Sequence, residues 1–121
     1  MTARILVVDD VAANVKLLEA RLSAEYFDVL TAMNGDEALA ICERAECDIV
    51  LLDVMMPEMD GFEVCRRLKS NPATHHIPVV AVTAFAMKGD EERIREGGCE
   101  AYLSKPISVG KFIETVRRFI G

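Results

Sequence analysis

The chain has 121 residues, a formal net charge of −6 and 51% hydrophobic residues, enough for one domain with a substantial core. The acidic balance argues against direct binding to nucleic acid or to an anionic membrane surface, because both need a basic face. The sequence has no amino-terminal signal peptide and no apolar run of about 18 residues or more, so we predict a soluble cytoplasmic protein.

The amino-terminal half alternates apolar runs with amphipathic stretches. Short β-branched runs predict strands, and apolar residues spaced by three and four predict helices. The turn signal Asn34-Gly35 is followed by Asp36 and Glu37, acids of the kind favoured at a helix amino terminus. In chain order the predicted elements are strand 4–8, helix 14–24, strand 27–32, helix 36–45 and strand 48–52.

The carboxyl-terminal half continues the same alternation. Asn71-Pro72 closes a third helix, and Gly97-Gly98 closes a short polar one, as left-handed cap residues commonly do. Apolar residues from Ser108 onward trace one face of a last, amphipathic helix. The predicted elements are helix 61–69, strand 77–82, helix 90–96, strand 101–103 and a helix from 108.

Strands that alternate with helices predict an α/β fold, a parallel sheet with helices on both faces. We therefore expect a single domain over residues 1–121. In such sheets the functional groups lie just beyond the carboxyl ends of the strands. Those positions hold Asp9, Asp10, Asp53, Thr83, Ala84, Ser104 and Lys105. A lone acid after a strand is usually a solvated loop residue. It is the convergence of several polar residues at one edge that indicates a functional site.

The residue types at this edge suit phosphoryl chemistry. Three carboxylates brought together repel by roughly 4 kcal/mol per pair at an effective dielectric of about 20, and Mg²⁺ with its oxygen ligands relieves that repulsion. Lys105 supplies a positive charge for phosphate, while the Thr83 hydroxyl and the Ala84 backbone N–H can donate to a phosphoryl oxygen. A carboxylate such as Asp53 can act as a nucleophile and form an aspartyl phosphate.

The set Asp9-Asp10, Asp53, Thr83-Ala84 and Lys105-Pro106 resembles that of the receiver domain of two-component response regulators, and the resemblance covers essentially the whole chain. It implies a doubly wound, flavodoxin-like (βα)₅ fold with the strand order 2-1-3-4-5. It also implies a signalling phospho-switch and not a metabolic enzyme.

The resemblance implies a role for each site residue. Asp53 would take a phosphoryl group from a sensor histidine kinase or a histidine phosphotransfer protein. Asp9, Asp10, Asp53 and the backbone carbonyl of Met55 would hold Mg²⁺. Thr83 and Tyr102 match the family's switch pair, although Tyr102 could instead be edge-strand filler. Output would pass to a downstream kinase or adaptor on the face made by the fourth helix, the fifth strand and the fifth helix. The sequence leaves phosphorylation-linked homodimerisation open.

The finer resemblance changes along the chain. Residues 3 to about 70 resemble the first receiver of one class of diguanylate cyclases, whereas the chain from about His76 resembles a stand-alone cell-fate receiver. A hybrid, a natural mosaic and an excised cyclase domain are all consistent with this pattern. No cyclase-like segment is present in the sequence, so we do not expect cyclic-dinucleotide synthesis.

Two other functions that involve phosphate groups, a phosphohydrolase and a dinucleotide-binding domain, fit the sequence less well. Phosphatases of the haloacid-dehalogenase type place an acid two residues after the nucleophile, and Met55 stands there. A dinucleotide-binding fold needs a GxGxxG motif after strand one, and that motif is missing.

The cysteines and histidines show no metal-binding or disulfide pattern. There is no CxxC motif, and the adjacent His75 and His76 are interpreted as surface loop residues. We therefore expect free, mostly buried thiols at Cys42, Cys47, Cys65 and Cys99.

Overall fold

The computed structural model describes residues 3–44, 47–53, 61–83, 98–104 and 109–120 of the chain. Its strands are β1 (Arg4–Val8), β2 (Asp28–Ala32), β3 (Ile49–Asp53), β4 (Val79–Thr83) and β5 (Ala101–Ser104). Its helices are α1 (Ala12–Ala24), α2 (Gly35–Arg44), α3 (Gly61–Ser70) and a C-terminal helix (Val109–Ile120). Among the helices within these ranges, none is both long and apolar enough to cross a membrane.

The five strands form one sheet in the order β2-β1-β3-β4-β5, and every neighbouring pair is parallel. This confirms the predicted order and direction of the strands. The chain moves from β1 outward to β2 and then returns to the other side of β1 for β3. The carboxyl ends of β1 and β3 therefore flank the point where the strand order reverses, which is where ligands bind in sheets of this kind.

Both faces of the sheet are covered. Successive strand residues point to opposite faces, so each strand contributes to two cores. On one face Leu6, Val8, Val50 and Leu52 pack with buried residues of α2 and α3. On the other face Ile5, Val7, Ile49 and Leu51 pack with α1 and the C-terminal helix. All five residues of β3 are buried, as its continuous apolar run predicts for a central strand.

Several element boundaries differ from the predicted ones by one or two residues. Strand β3 includes Asp53, and β4 includes Thr83. Strand β4 begins two residues later than predicted because the N–H of Ile77 is used in a turn, where it donates to the carbonyl of Thr74 at 3.0 Å. The predicted helix over 90–96 lies outside the described residues.

Candidate functional site

Three carboxylates meet at the carboxyl edge of the sheet. Strands β1 and β3 are paired with Val8 opposite Leu52, so Asp9 follows β1 where β3 ends at Asp53. One carboxylate oxygen from each of Asp9, Asp10 and Asp53 lies within 4.8 Å of the others. The convergence expected from the sequence is therefore present among these three residues.

The three carboxylates differ in their exposure to solvent. Asp9 and Asp53 are only 4% and 3% exposed, whereas Asp10 is exposed. Two buried carboxylates next to each other repel by about 3–4 kcal/mol at an effective dielectric of about 20; water screens Asp10 more effectively. A hard divalent cation relieves this repulsion, and a set of few carboxylates with one side open to water suits Mg²⁺.

The first turn of α1 holds Asp9 in place. Its Oδ1 accepts the backbone N–H of Val11 at 2.9 Å, and its Oδ2 accepts the side-chain amide of Asn14 at 3.3 Å. Helix α1 begins at Ala12, two residues earlier than predicted, so its positive amino-terminal end faces the acids. Asn14 had no predicted role. The sequence feature that could have indicated its contact with Asp9 is its position five residues after this acid, in the first turn of the following helix.

Strand β4 brings Thr83 to the same edge. Asp53 is paired with Val82, and Thr83 is the next residue of β4 and is paired with Ser104 of β5. Tyr102 lies deeper in the sheet, opposite Ala81, and is half-buried against the core that contains α2 and α3. The fold therefore places Thr83 between the carboxylates and the strand that carries Tyr102.

Three predicted site residues lie outside the described residues: Met55, Ala84 and Lys105. Their expected roles in metal and phosphoryl binding stay predictions.

A cavity of about 790 Å³ opens elsewhere, at the opposite edge of the sheet, and is lined partly by Cys42, Cys47 and Phe119. The Cys42 thiol hydrogen-bonds to Cys47 and thereby lowers the pKa of Cys47, while burial acts in the opposite direction. The cavity contains none of the three clustered carboxylates. The candidate functional site is therefore the carboxylate cluster and not this cavity.

Residues 5–117 match the model of the response regulator receiver domain. The chain belongs to the receiver-domain family of two-component response regulators. Receivers of this type are signalling phospho-switches that interact with histidine kinases and downstream effectors, and they are not metabolic enzymes.

Two curated relatives show where the chain lies within the family. It is 48% identical over 121 residues to the polar-differentiation response regulator DivK of Brucella ovis, covering 100% of this chain and 98% of DivK. It is 60% identical over 107 residues to the response regulator PleD of Caulobacter vibrioides, covering 88% of this chain but 24% of PleD. The likeness to PleD thus extends beyond residues 3–70, the range predicted from the sequence.

Solved structures agree with the fold. The chemotaxis protein CheY4 of Vibrio cholerae superposes with a TM-score of 0.93 at 27% identity, covering 98% of this chain and 99% of CheY4. The receiver domain of a sensor histidine kinase from Pseudomonas aeruginosa gives 0.92 at 30% identity, covering 100% of this chain and 99% of that domain. That receiver holds a magnesium ion in its active-site cleft.

Proposed function

We propose that this single receiver domain, residues 1–121, accepts a phosphoryl group on Asp53 and then switches its binding to partner proteins. The observation that carries the proposal is the meeting of Asp9, Asp10 and Asp53 within 4.8 Å, with Asp53 at the end of the central strand and only 3% exposed. The donor would be a phosphohistidine of a sensor histidine kinase or of a histidine phosphotransfer protein.

In the transfer, a carboxylate oxygen of Asp53 attacks phosphorus as the P–N bond to histidine breaks. The histidine nitrogen keeps the bonding electron pair. Mg²⁺ would be held by Asp9, Asp10, Asp53 and the Met55 carbonyl, and would neutralise charge on the phosphoryl oxygens. The support for Mg²⁺ is the donor set itself, together with the ion seen in the similar receiver from Pseudomonas aeruginosa. Lys105, Thr83 and Ala84 would contact the phosphoryl group.

The output step would begin at Thr83. Phosphorylation adds charge and strong hydrogen-bond acceptors beside this residue. Movement of Thr83 toward the phosphoryl group would leave space that Tyr102 can fill, since β4 and β5 are paired at these positions. The surface made by the predicted fourth helix, β5 and the C-terminal helix would change, and a downstream kinase or adaptor would bind it.

The decisive experiment is intact-mass analysis after incubation with acetyl phosphate and Mg²⁺. The wild-type chain should gain one phosphoryl group, and Asp53→Asn should gain none. Asp36→Asn, which changes an exposed acid at the start of α2, is the matched control and should be phosphorylated like wild type. Undiminished phosphorylation of Asp53→Asn would disprove the assignment of the acceptor.

A further inference from the structure

Two cysteines that are 34 positions apart in the chain meet in the interior. The Cys99 thiol donates a hydrogen bond to Sγ of Cys65, and the two sulfur atoms lie 2.7 Å apart. Cys65 lies in α3 and is completely buried, whereas Cys99, just before β5, is 8% exposed. Both cysteines are in the reduced form, since neither is joined in a disulfide. A disulfide bond would need the sulfurs to approach to about 2.05 Å.

Neighbouring contacts fix the position of this pair. Lys69, one helical turn after Cys65, forms an ion pair with Glu100, the residue next to Cys99. The other carboxylate oxygen of Glu100 accepts the backbone N–H of Val79 at 2.6 Å. The segment that carries Cys99 is therefore attached both to α3 and to the start of β4, and the sulfurs meet because the fold holds three elements together.

The surroundings of the pair favour a reactive thiolate. The hydrogen bond from Cys99 lowers the pKa of Cys65, burial raises it, and the charge of Lys69 lowers it again. The same hydrogen bond and burial raise the pKa of Cys99. When the pair carries one negative charge, these opposite shifts in pKa favour the proton on Cys99 and the charge on Cys65. A thiolate is the nucleophilic form of cysteine.

We propose that Cys65 and Cys99 form a reversible redox site, which hydrogen peroxide or a peroxide of similar size oxidises to a disulfide. A thiolate sulfur attacks one peroxide oxygen, the O–O bond breaks, and the sulfur becomes a sulfenic acid. The departing hydroxide takes up a proton and leaves as water. The second thiol then attacks the sulfenic sulfur, the S–O bond breaks, and another water leaves. The protein loses two hydrogen atoms, and a dithiol reductant restores both thiols.

Cys99 is the more exposed member of the pair. It is 8% exposed and Cys65 is fully buried, and Gly98 and Glu100 on either side of Cys99 are exposed. The disulfide would join α3 to the segment that leads into β5. The site shares no residue with the carboxylate cluster, so its oxidation can be tested without phosphorylation.

The experiment uses the full chain, reduced, freed of reductant and then treated with hydrogen peroxide under native conditions. Peptide mapping without reduction should show Cys65 joined to Cys99, and intact mass should show the loss of two hydrogens. Cys42→Ser/Cys47→Ser should retain the cross-link, and Cys99→Ser should lose it. Circular dichroism of each variant checks that it folds.

A parallel reaction in denaturant tests whether the fold directs the bond. In an unfolded chain, closure of the short loop between Cys42 and Cys47 is favoured over the 34-residue separation by about one order of magnitude. The Cys65–Cys99 link should therefore predominate only under native conditions. The proposal is overturned if native wild-type protein gives no such link, gives it no more often than the unfolded chain, or oxidises only at Cys42 and Cys47.

Discussion

At the residue scale, three acids of the same chemical kind occupy different surroundings. Asp9 is buried and bonded to the first turn of α1 through Val11 and Asn14, so it contributes to the fold as well as to the cluster. Asp53 is buried at the end of β3. Asp10 is exposed. It is therefore the residue whose charge can be removed with the least effect on folding.

We expect Asp10→Asn to weaken Mg²⁺ binding about tenfold or more, since loss of even an indirect partner of a metal site costs about that much. Isothermal titration calorimetry measures the affinity, and urea unfolding of the metal-free protein should match wild type. Asp36→Asn, at an exposed acid of α2, controls for the lost charge. Equal Mg²⁺ affinity in Asp10→Asn and wild type would contradict the proposed site.

At the element scale, Lys69 ties the end of α3 to two other segments. Its ammonium group donates to the carbonyl of Ile77 at 2.7 Å and to that of His75 at 3.2 Å, and it pairs with Glu100. The Lys69 side chain is 17% exposed, so this ion pair is screened less than the surface pairs of α3. Removal of the lysine would leave a partly buried carboxylate without this partner.

We predict that Lys69→Met lowers the free energy of unfolding by about 2–3 kcal/mol, because the Glu100 carboxylate and the carbonyls of Ile77 and His75 lose their charged hydrogen-bond donor. Arg66→Met is the matched control: it breaks an exposed ion pair with Glu63 in the same helix and should cost less than about 1 kcal/mol. Urea denaturation followed by circular dichroism measures both values. Similar losses in the two variants would show that Lys69 does not hold these segments together.

At the scale of the whole molecule, strand pairing connects the carboxylate cluster at the end of β3 to the outer strand β5. Asp53 is paired with Val82 in β4, and the neighbouring Thr83 is paired with β5. The C-terminal helix packs through Phe112 and Val116 onto a core that includes residues of β4. A structural change caused by added charge at Asp53 can therefore reach β5 and this helix through residues that are directly paired or packed together. Coupling between two such states is typically worth about 1–3 kcal/mol.

We expect beryllofluoride, a phosphoryl mimic, to shift the amide resonances of β5 and of the C-terminal helix as well as those around Asp53. The physical reason is the proposed linked change at Thr83 and Tyr102. Two-dimensional ¹H–¹⁵N spectra with Mg²⁺, with and without the mimic, provide the measurement, and Asp53→Asn is the control. If residues 84–118 do not shift, the switch does not reach the proposed output face.

The sequence by itself determined the fold class, the five strands and the three carboxylates. Alternating apolar periods define βα units, and parallel strands bring their carboxyl ends to one edge, so the pattern alone was enough to place Asp9, Asp10 and Asp53 together. The predicted element boundaries differ from the observed ones by one or two residues. Helix starts and turns depend on local hydrogen bonds, such as that from the Ile77 N–H to the Thr74 carbonyl. The roles of Met55, Ala84 and Lys105 stay predictions.

Only the tertiary structure decided which distant side chains touch. The contact of Cys65 with Cys99 and the ion pair of Lys69 with Glu100 join α3 to a segment about 30 residues later in the chain. Their separation in the sequence matches no helix or strand period. Their contact in space depends on how α3 packs on the sheet. The bond from Asn14 to Asp9 likewise depends on the angle at which α1 leaves β1. Periodicity determines which face a residue occupies, and packing between elements determines its partner there.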